Sequence, residues 1–224
     1  MSSGWDPVSK DYALEYEVGE WRQDSDIRET LGFIEARCGG FAGKRVLDLG
    51  GGPGQYSVSM AQRGARVTWH DPSRIYEGLT RAHAAAAGVQ LTFNLGYLED
   101  AASLKPESFD IVFNRICWYY CANDRAFARL IWSLLAPGGT AYLNLPVDSF
   151  RPRPSVRHRF AIWLNRHLGV KIAYTHPPRG RVPGLFAQLG PVELWLSTRD
   201  EHIEILLATK PLAVRPAAEP GGRR

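Results

Sequence analysis

The stretch Val46-Leu47-Asp48-Leu49-Gly50-Gly51-Gly52-Pro53-Gly54 constrains this chain more than any other. An apolar run ends in an acid and then in closely spaced glycines, and the next apolar run closes on Asp71. Glycine lets the backbone turn tightly and approach a ligand where any Cβ would collide. In strand–loop–helix units such a loop borders the crevice beyond the carboxyl ends of the strands. There an acid about 20 residues further on meets a ribose hydroxyl pair. Asp71, 21 positions after Gly50, has that spacing. The pattern predicts a nucleoside-binding crevice.

The glycine spacing then separates two cofactors. A dinucleotide fingerprint, G-x-G-x-x-G, leaves amides free for a pyrophosphate at a helix N-terminus. Here the third glycine, Gly54, comes one position early, Gln55 stands where that fingerprint places glycine, and Asp48 precedes the loop. A carboxylate there repels a diphosphate and suits an ammonium group, which disfavours a nicotinamide oxidoreductase. Asp48, Gly50, Gly52 and Gly54 resemble the first motif of the class I S-adenosylmethionine-dependent methyltransferases, an acid followed by G-x-G-x-G. An ordinary strand-to-helix turn is the bland alternative.

The rest of the chain fits a matching α/β pattern. Strands are expected over 45–49, 65–70, 90–95, 109–114 and 140–145. The helices between them cover 55–63, 73–87 and, capped by Asn123, 123–135, which Pro137-Gly138-Gly139 terminates; 99–104 makes one helical turn. Strands separated by helices imply right-handed βαβ units and a doubly wound, mostly parallel sheet with helices on both faces. Further on, a helix over 156–167 with Phe160, Ile162, Trp163 and Leu164 on its apolar side and a short helix over 184–189 precede two strands, 192–197 and 203–209. The five-residue polar connection between those strands suggests an antiparallel pair. The resemblance covers roughly residues 40–210 and implies seven strands, the last inserted antiparallel between the fifth and the sixth. Before it, residues 1–39 form a helical arm or lid, with an amphipathic stretch from Asp26 to Cys38. After it, 211–224 reads as a disordered tail rich in Pro, Gly and Arg.

At 224 residues the chain is long enough for one domain with a full core. No apolar run approaches the ~20 residues that cross a bilayer and no signal-peptide core is evident, so no membrane partner is expected. Three cysteines, Cys38, Cys117 and Cys121, are too few for a disulfide framework, which suggests a reducing, cytoplasmic setting. Cys117 and Cys121 have no histidine or third cysteine near them in sequence, so no metal is expected. The charge is uneven. From Arg151 to Arg181 there are seven Arg, one Lys and no acid, a formal +8; with +4 for the whole chain, the remainder carries −4.

The resemblance implies S-adenosylmethionine as cofactor and assigns Asp48 to the methionine ammonium, directly or through water, Gly50, Gly51, Gly52 and Gly54 to the loop, and Asp71 with Pro72 to the ribose. Leu98 and Glu99 fall at the adenine and Asn114 near the methionine end. One departure stands out: many relatives carry an acid just after the third strand, and here that place is Tyr97. Methyl transfer from a sulfonium chiefly needs proximity and alignment. A hydroxyl or amine acceptor often adds a base, for which His176, in the rigid loop Thr175-His176-Pro177-Pro178-Arg179-Gly180-Arg181, is the candidate. Tyr12, Tyr16, Trp118 and Tyr119 are candidate walls for the acceptor, though consecutive aromatics cannot all face one way. Arg179 and Arg181 are candidates to clamp an anionic group. The favoured activity is therefore methyl transfer to oxygen or nitrogen of a small anionic metabolite. The alternatives are a nucleic-acid methyltransferase using the basic segment 151–181 and a non-catalytic binding protein on the same fold. After the fourth strand the chain reads Asn114-Arg115-Ile116-Cys117, not the Asn/Asp-Pro-Pro-aromatic motif of enzymes acting on planar amino groups. Oligomeric state is not legible.

Overall fold

A computed structural model describes residues 6–21, 23–147, 155–168, 175–200 and 202–212. Seven strands form one sheet: β1 (Arg45–Leu49), β2 (Arg66–Asp71), β3 (Thr92–Leu95), β4 (Phe109–Arg115), β5 (Leu135–Pro146), β6 (Glu193–Asp200) and β7 (Ile203–Thr209). Their order is β3-β2-β1-β4-β5-β7-β6, and β7 alone runs antiparallel, against both β5 and β6. The expected doubly wound sheet with an antiparallel C-terminal pair is therefore present. The reversal of order between β1 and β4 opens the crevice in which such sheets bind ligands.

Period-two alternation along the strands builds two core layers. Leu47, Leu49, Val112, Ala141 and Leu143 face one side, where they meet α5 (Asp124–Leu134) and α7 (Arg181–Phe186). Val46, Ile111, Phe113 and Tyr142 face the other, where they meet α2 (Asp24–Cys38) and α3 (Gln55–Gln62). Because Ile27, Leu31 and Ile34 of α2 are part of that second layer, α2 belongs to the body of the fold. Gly39 ends it in the left-handed conformation. The earlier helix, α1 (Lys10–Trp21), instead lies across α4 (Arg74–Ala86): Ala13 packs with Trp69 and Tyr76.

Several boundaries differ from the sequence expectation, β6 for one running on to Asp200, and two of the differences have a clear physical reason. The triplet Pro137-Gly138-Gly139 lies inside β5, because α5 already ends at Leu134. Gly138, at φ 77°, donates its N–H to the carbonyl of Lys210, and Lys210 donates back to Gly139, so the glycines bend the strand onto the end of β7 rather than cap a helix. The short helix α7 begins at Arg181, three residues early, because Pro183 fits within a first helical turn, where its missing N–H costs nothing. The tail expected over 211–224 falls outside the described residues beyond Leu212. Helix α6 (Val156–Leu168) forms as expected.

Candidate active site

The glycine loop leaves β1 at the strand ends and enters α3, and each of its amides is already bonded within the protein. Gly50 and Gly51 donate to the carbonyl of His70 at 2.8 and 3.1 Å, and Gly54 donates to Gly51 at 3.1 Å. Gly52 donates to Asp71 Oδ2 at 3.1 Å. Pro53 has no N–H. The loop's own amides are therefore not free to cradle a diphosphate. Trp69 Nε1 and Thr80 Oγ1 both donate to the Gly52 carbonyl, at 3.0 and 3.1 Å, which pins the loop from the β2–α4 side. Gly50, at φ 86°, lies so close to Cys117 that an added Cβ would stand 2.6 Å from its Sγ. Gly52, at φ 51°, faces open space.

Asp71 closes β2 and is buried. Besides the Gly52 amide it accepts from Ser73 N at 2.9 Å, so it ties the loop to the start of α4 while keeping lone pairs for a further donor. Ser73 caps α4 by accepting from Tyr76 N at 3.1 Å. A second carboxylate reaches the same helix end from far off in sequence: Asp6 accepts from Ser73 Oγ, Arg74 N and Ile75 N at 2.8, 2.7 and 3.2 Å. Asp48 is also buried and accepts from Ser57 Oγ of α3 at 2.6 Å. Burial pushes the Asp48 carboxyl up to about 7, with a contribution from the nearby Asp71 charge, and pushes Asp71 up to about 6. Two buried carboxylates against a loop with no free donors form a site that favours a cation.

Their titration fixes a pH dependence. Both folded pKa values lie above the ordinary carboxylate value of 3.8, so the folded protein binds more protons than the unfolded chain between the two. The stability these groups confer is complete below about pH 4 and is lost as pH rises through about 6 to 7. A cationic ligand favours the ionised carboxylates and reverses that loss. The expected result is that the rise in Tm given by saturating S-adenosylhomocysteine, whose ammonium group remains charged, grows from about pH 5 to about pH 8. Asp48→Asn should flatten the trend, and a pH-independent rise would rule it out.

On the β4 side, Asn114 is fully buried and donates Nδ2–H to the Leu49 carbonyl at 2.7 Å, leaving its buried Oδ1 without a partner. Arg115 follows, and then Ile116 at φ 63°, a left-handed position that costs a β-branched residue about 1–3 kcal/mol. Its N–H donates to Asn144 on β5 at 2.9 Å, and the turn it makes carries Cys117 beneath Gly50. Glu99 accepts from Ala122 N at 2.7 Å, which commits one of its oxygens to joining the loops after β3 and β4. Leu98 is buried in the core beside them, and Tyr97 is exposed, its carbonyl 2.7 Å from His70 Nε2.

Aromatic rings from separate elements converge above this floor. Tyr12 and Tyr16 of α1 stack at 5.9 Å, and Tyr16 meets Tyr76 of α4 at 6.2 Å. Tyr119 contacts Tyr120 at 4.1 Å and the His176 ring edge-on at 4.7 Å. Burial raises the phenols of Tyr16, Tyr76 and Tyr119 above their usual value, and the neighbouring phenols and Cys117 add to it. Of the expected acceptor residues, Tyr119 touches His176, while Tyr12 and Tyr16 form a second group with Tyr76, close enough to influence Tyr119 electrostatically. Trp118 is not on that wall: it is fully buried, packs on Phe127, and donates Nε1–H to Asp124 at 2.8 Å. Arg181 is turned toward the same buried Asp124, 3.7 Å away, so it braces α7 against α5 rather than opening to a ligand.

Sequence reasoning missed the support beneath this site. Arg115 donates to Glu20 at 3.2 Å and to Asp26 at 2.9 Å, Gln55 donates to Glu20 at 3.0 Å, and Tyr56 donates to Asp26 at 3.2 Å. Arg199, near the end of β6, also donates to Asp26. These partners are 30–173 residues apart, and no local spacing announces them.

Residues 46–139 match the family model described as a methyltransferase domain. The chain is 30% identical over 176 residues to a ubiquinone biosynthesis O-methyltransferase of Azoarcus sp. (strain BH72), an alignment covering 79% of this chain and 67% of that protein. This chain belongs to the class I S-adenosylmethionine-dependent methyltransferases. It is also 34% identical over 137 residues to the ubiquinone biosynthesis O-methyltransferase of Aeromonas salmonicida (strain A449), covering 61% of this chain and 57% of that protein. The alignments thus span 57% and 67% of these two relatives' lengths. Among solved structures, the fold superposes with a TM-score of 0.59 and 20% identity on the 1,6-didemethyltoxoflavin-N1-methyltransferase of Burkholderia thailandensis, which holds S-adenosylhomocysteine, over 90% of this chain and 86% of that one. The methyltransferase-family cofactor fits what the strand ends provide: open space at Gly52, two carboxylates that favour a cation, and the unpartnered Asn114 oxygen.

Proposed function

We propose that the chain transfers a methyl group to a hydroxyl oxygen of a small planar acceptor. The observation that carries this reading is the set of phenol rings, Tyr12, Tyr16, Tyr76, Tyr119 and Tyr120, gathered from α1, α4 and the turn after β4 around the loop and Cys117. Stacked aromatic walls hold a flat ring in one plane, and alignment is most of what an in-line displacement requires. The O-methyltransferase names of the relatives favour oxygen over nitrogen. When bound, S-adenosylmethionine supplies a methyl on a cationic sulfur, which departs with the C–S electron pair. Asp71, with Pro72, would hold the ribose hydroxyls, Asp48 would supply negative charge for the ammonium, and Asn114, with its unpartnered carbonyl oxygen, would serve the methionine end. Ala122 engages one Glu99 oxygen, so the other oxygen and the backbone around Tyr97 and Leu98 would be the groups to meet the adenine.

His176, edge-on to Tyr119, takes the acceptor's hydroxyl proton, and α1 with its tyrosines excludes water. Arg179 remains the candidate partner for an anionic substituent, which keeps a small anionic metabolite as the substrate class. The free thiols of Cys38, Cys117 and Cys121 fit a reducing compartment such as the cytoplasm. Tritiated S-adenosylmethionine, offered with catechols and hydroxybenzoates, tests the reading. His176→Asn should lower kcat about 100-fold while S-adenosylhomocysteine binds as before. A change of only a few-fold would reduce His176 to packing, and no label transfer to any hydroxylated ring would remove the proposed acceptor class.

A further inference from the structure

Helix α6 turns its apolar stripe outward. Val156, Phe160, Trp163 and His167 recur at intervals of four, three and four residues, which places them on one face. Val156, Phe160 and Trp163 are 82%, 54% and 50% exposed. Ala161, away from the stripe, is buried. Phe160 and Trp163 stack on each other at 6.1 Å with their planes 10° apart, and Trp163 contacts His167 at 5.1 Å. Arg157 and Arg159, both exposed, flank the stripe on its two sides. No acid occurs between Arg151 and Arg181, a stretch of formal charge +8 on a chain whose remainder is −4.

We propose that α6 is a membrane-surface helix that seats this protein on an anionic bilayer. An aromatic and aliphatic stripe bordered by arginines is the arrangement by which a helix lies in the headgroup plane, with rings in the acyl boundary and guanidinium groups among the phosphates. The charge decides between occupants. A second copy docking through the same face would set +8 against +8, and self-association through α6 is thereby opposed. A nucleic acid stacks its bases on free ring faces, whereas here the two rings stack on each other and aliphatic Val156 extends the stripe, which suits hydrocarbon. No helix among the described residues is long and apolar enough to cross a membrane. The chain that leaves α6 reaches His176 eight residues after Leu168, so the seated face is joined in sequence to the proposed acceptor mouth. The proposal itself does not depend on methyl transfer.

The test is co-sedimentation of the full chain with vesicles of phosphatidylcholine alone and with about one third phosphatidylglycerol, at low and high salt. Binding is expected only to the anionic vesicles and should weaken with salt. Phe160→Ser with Trp163→Ser, and separately Arg157→Glu with Arg159→Glu, should each reduce it about tenfold or more, while S-adenosylhomocysteine affinity stays unchanged in at least one of the two pairs as a check on folding. Failure of the wild type to sediment with anionic vesicles at low salt would overturn the proposal. So would a folded Phe160/Trp163 variant that sediments like the wild type, tighter binding to a single-stranded oligonucleotide that ignores that variant, or a wild-type dimer that the variant abolishes.

Discussion

Arg115→Ala is expected to cost about 3–5 kcal/mol of folding stability, the range for removing one member of a buried charge network. Its guanidinium group is nearly buried between Glu20 and Asp26, two carboxylates brought by α1 and the start of α2. Deleting it leaves Glu20, among the described residues, facing Gln55 and Gln23, and Asp26 held by Tyr56 and the half-exposed Arg199. The loss should appear as a fall in Tm of about 10 °C, given the usual 2–4 °C per kcal/mol for chains of this length. Because Glu20 grips Gln55 at the first turn of α3, the same substitution should loosen the glycine loop and weaken S-adenosylhomocysteine. The charge argument has its own control. Arg115→Met with Glu20→Gln and Asp26→Asn should recover part of the stability that Arg115→Met alone loses, since no carboxylate is then stranded. A triple variant less stable than the single one, by urea denaturation, would mean that shape rather than charge holds α1 down.

What the sequence made legible follows from range. The strand runs 45–49 and 109–115, the helix caps at Ser73 and Asn123, and the antiparallel ending are set by residues within a few positions of one another, and each forms nearly where local chemistry places it. The loop was legible for the same reason. The glycine that abuts Cys117 and the one at a positive φ over open space must both be glycine, and the chain records them directly. What escaped depends on distance in sequence. Nothing near Asp6 says that it will cap α4, nothing near Arg115 names Glu20, and Ile116 carries no mark of its left-handed backbone. Trp118 misled for the opposite reason. An aromatic after the fourth strand is equally suited to a pocket or a core, and only the arrival of Asp124 and Phe127 on α5, with Phe186 on α7, decides for the core. Arg181 had the same ambiguity, which Asp124 also resolves. On α6 the sequence reading puts Phe160, Ile162, Trp163 and Leu164 on one apolar side, whereas helical spacing groups Phe160 and Trp163 with Val156 and His167, and the direction of that stripe depends on what the body of the fold leaves uncovered.

Asp71→Ala should weaken S-adenosylhomocysteine by about 1–3 kcal/mol, roughly 5- to 150-fold in Kd, the cost of leaving buried donors without their acceptor. Two effects contribute, and they separate by experiment. In the unliganded protein the variant strands the N–H groups of Gly52 and Ser73, both of which donate to this carboxylate. That part lowers Tm without ligand and should be largely restored by Asp71→Asn, whose carbonyl oxygen still accepts from one of them. With ligand present, the ribose hydroxyls lose a charged acceptor, and an amide replaces it poorly, because charge-assisted hydrogen bonds are about twice as strong as neutral ones. Asp71→Asn is therefore expected to sit near the wild type in unliganded Tm and near Asp71→Ala in Kd by calorimetry. Adenosine lacking its 2′- and 3′-hydroxyls, used as a competitor, should bind the wild type and Asp71→Asn about equally. If Asp71→Asn instead keeps wild-type affinity for S-adenosylhomocysteine, the carboxylate serves the loop alone, and the ribose must be held by another group at the strand ends.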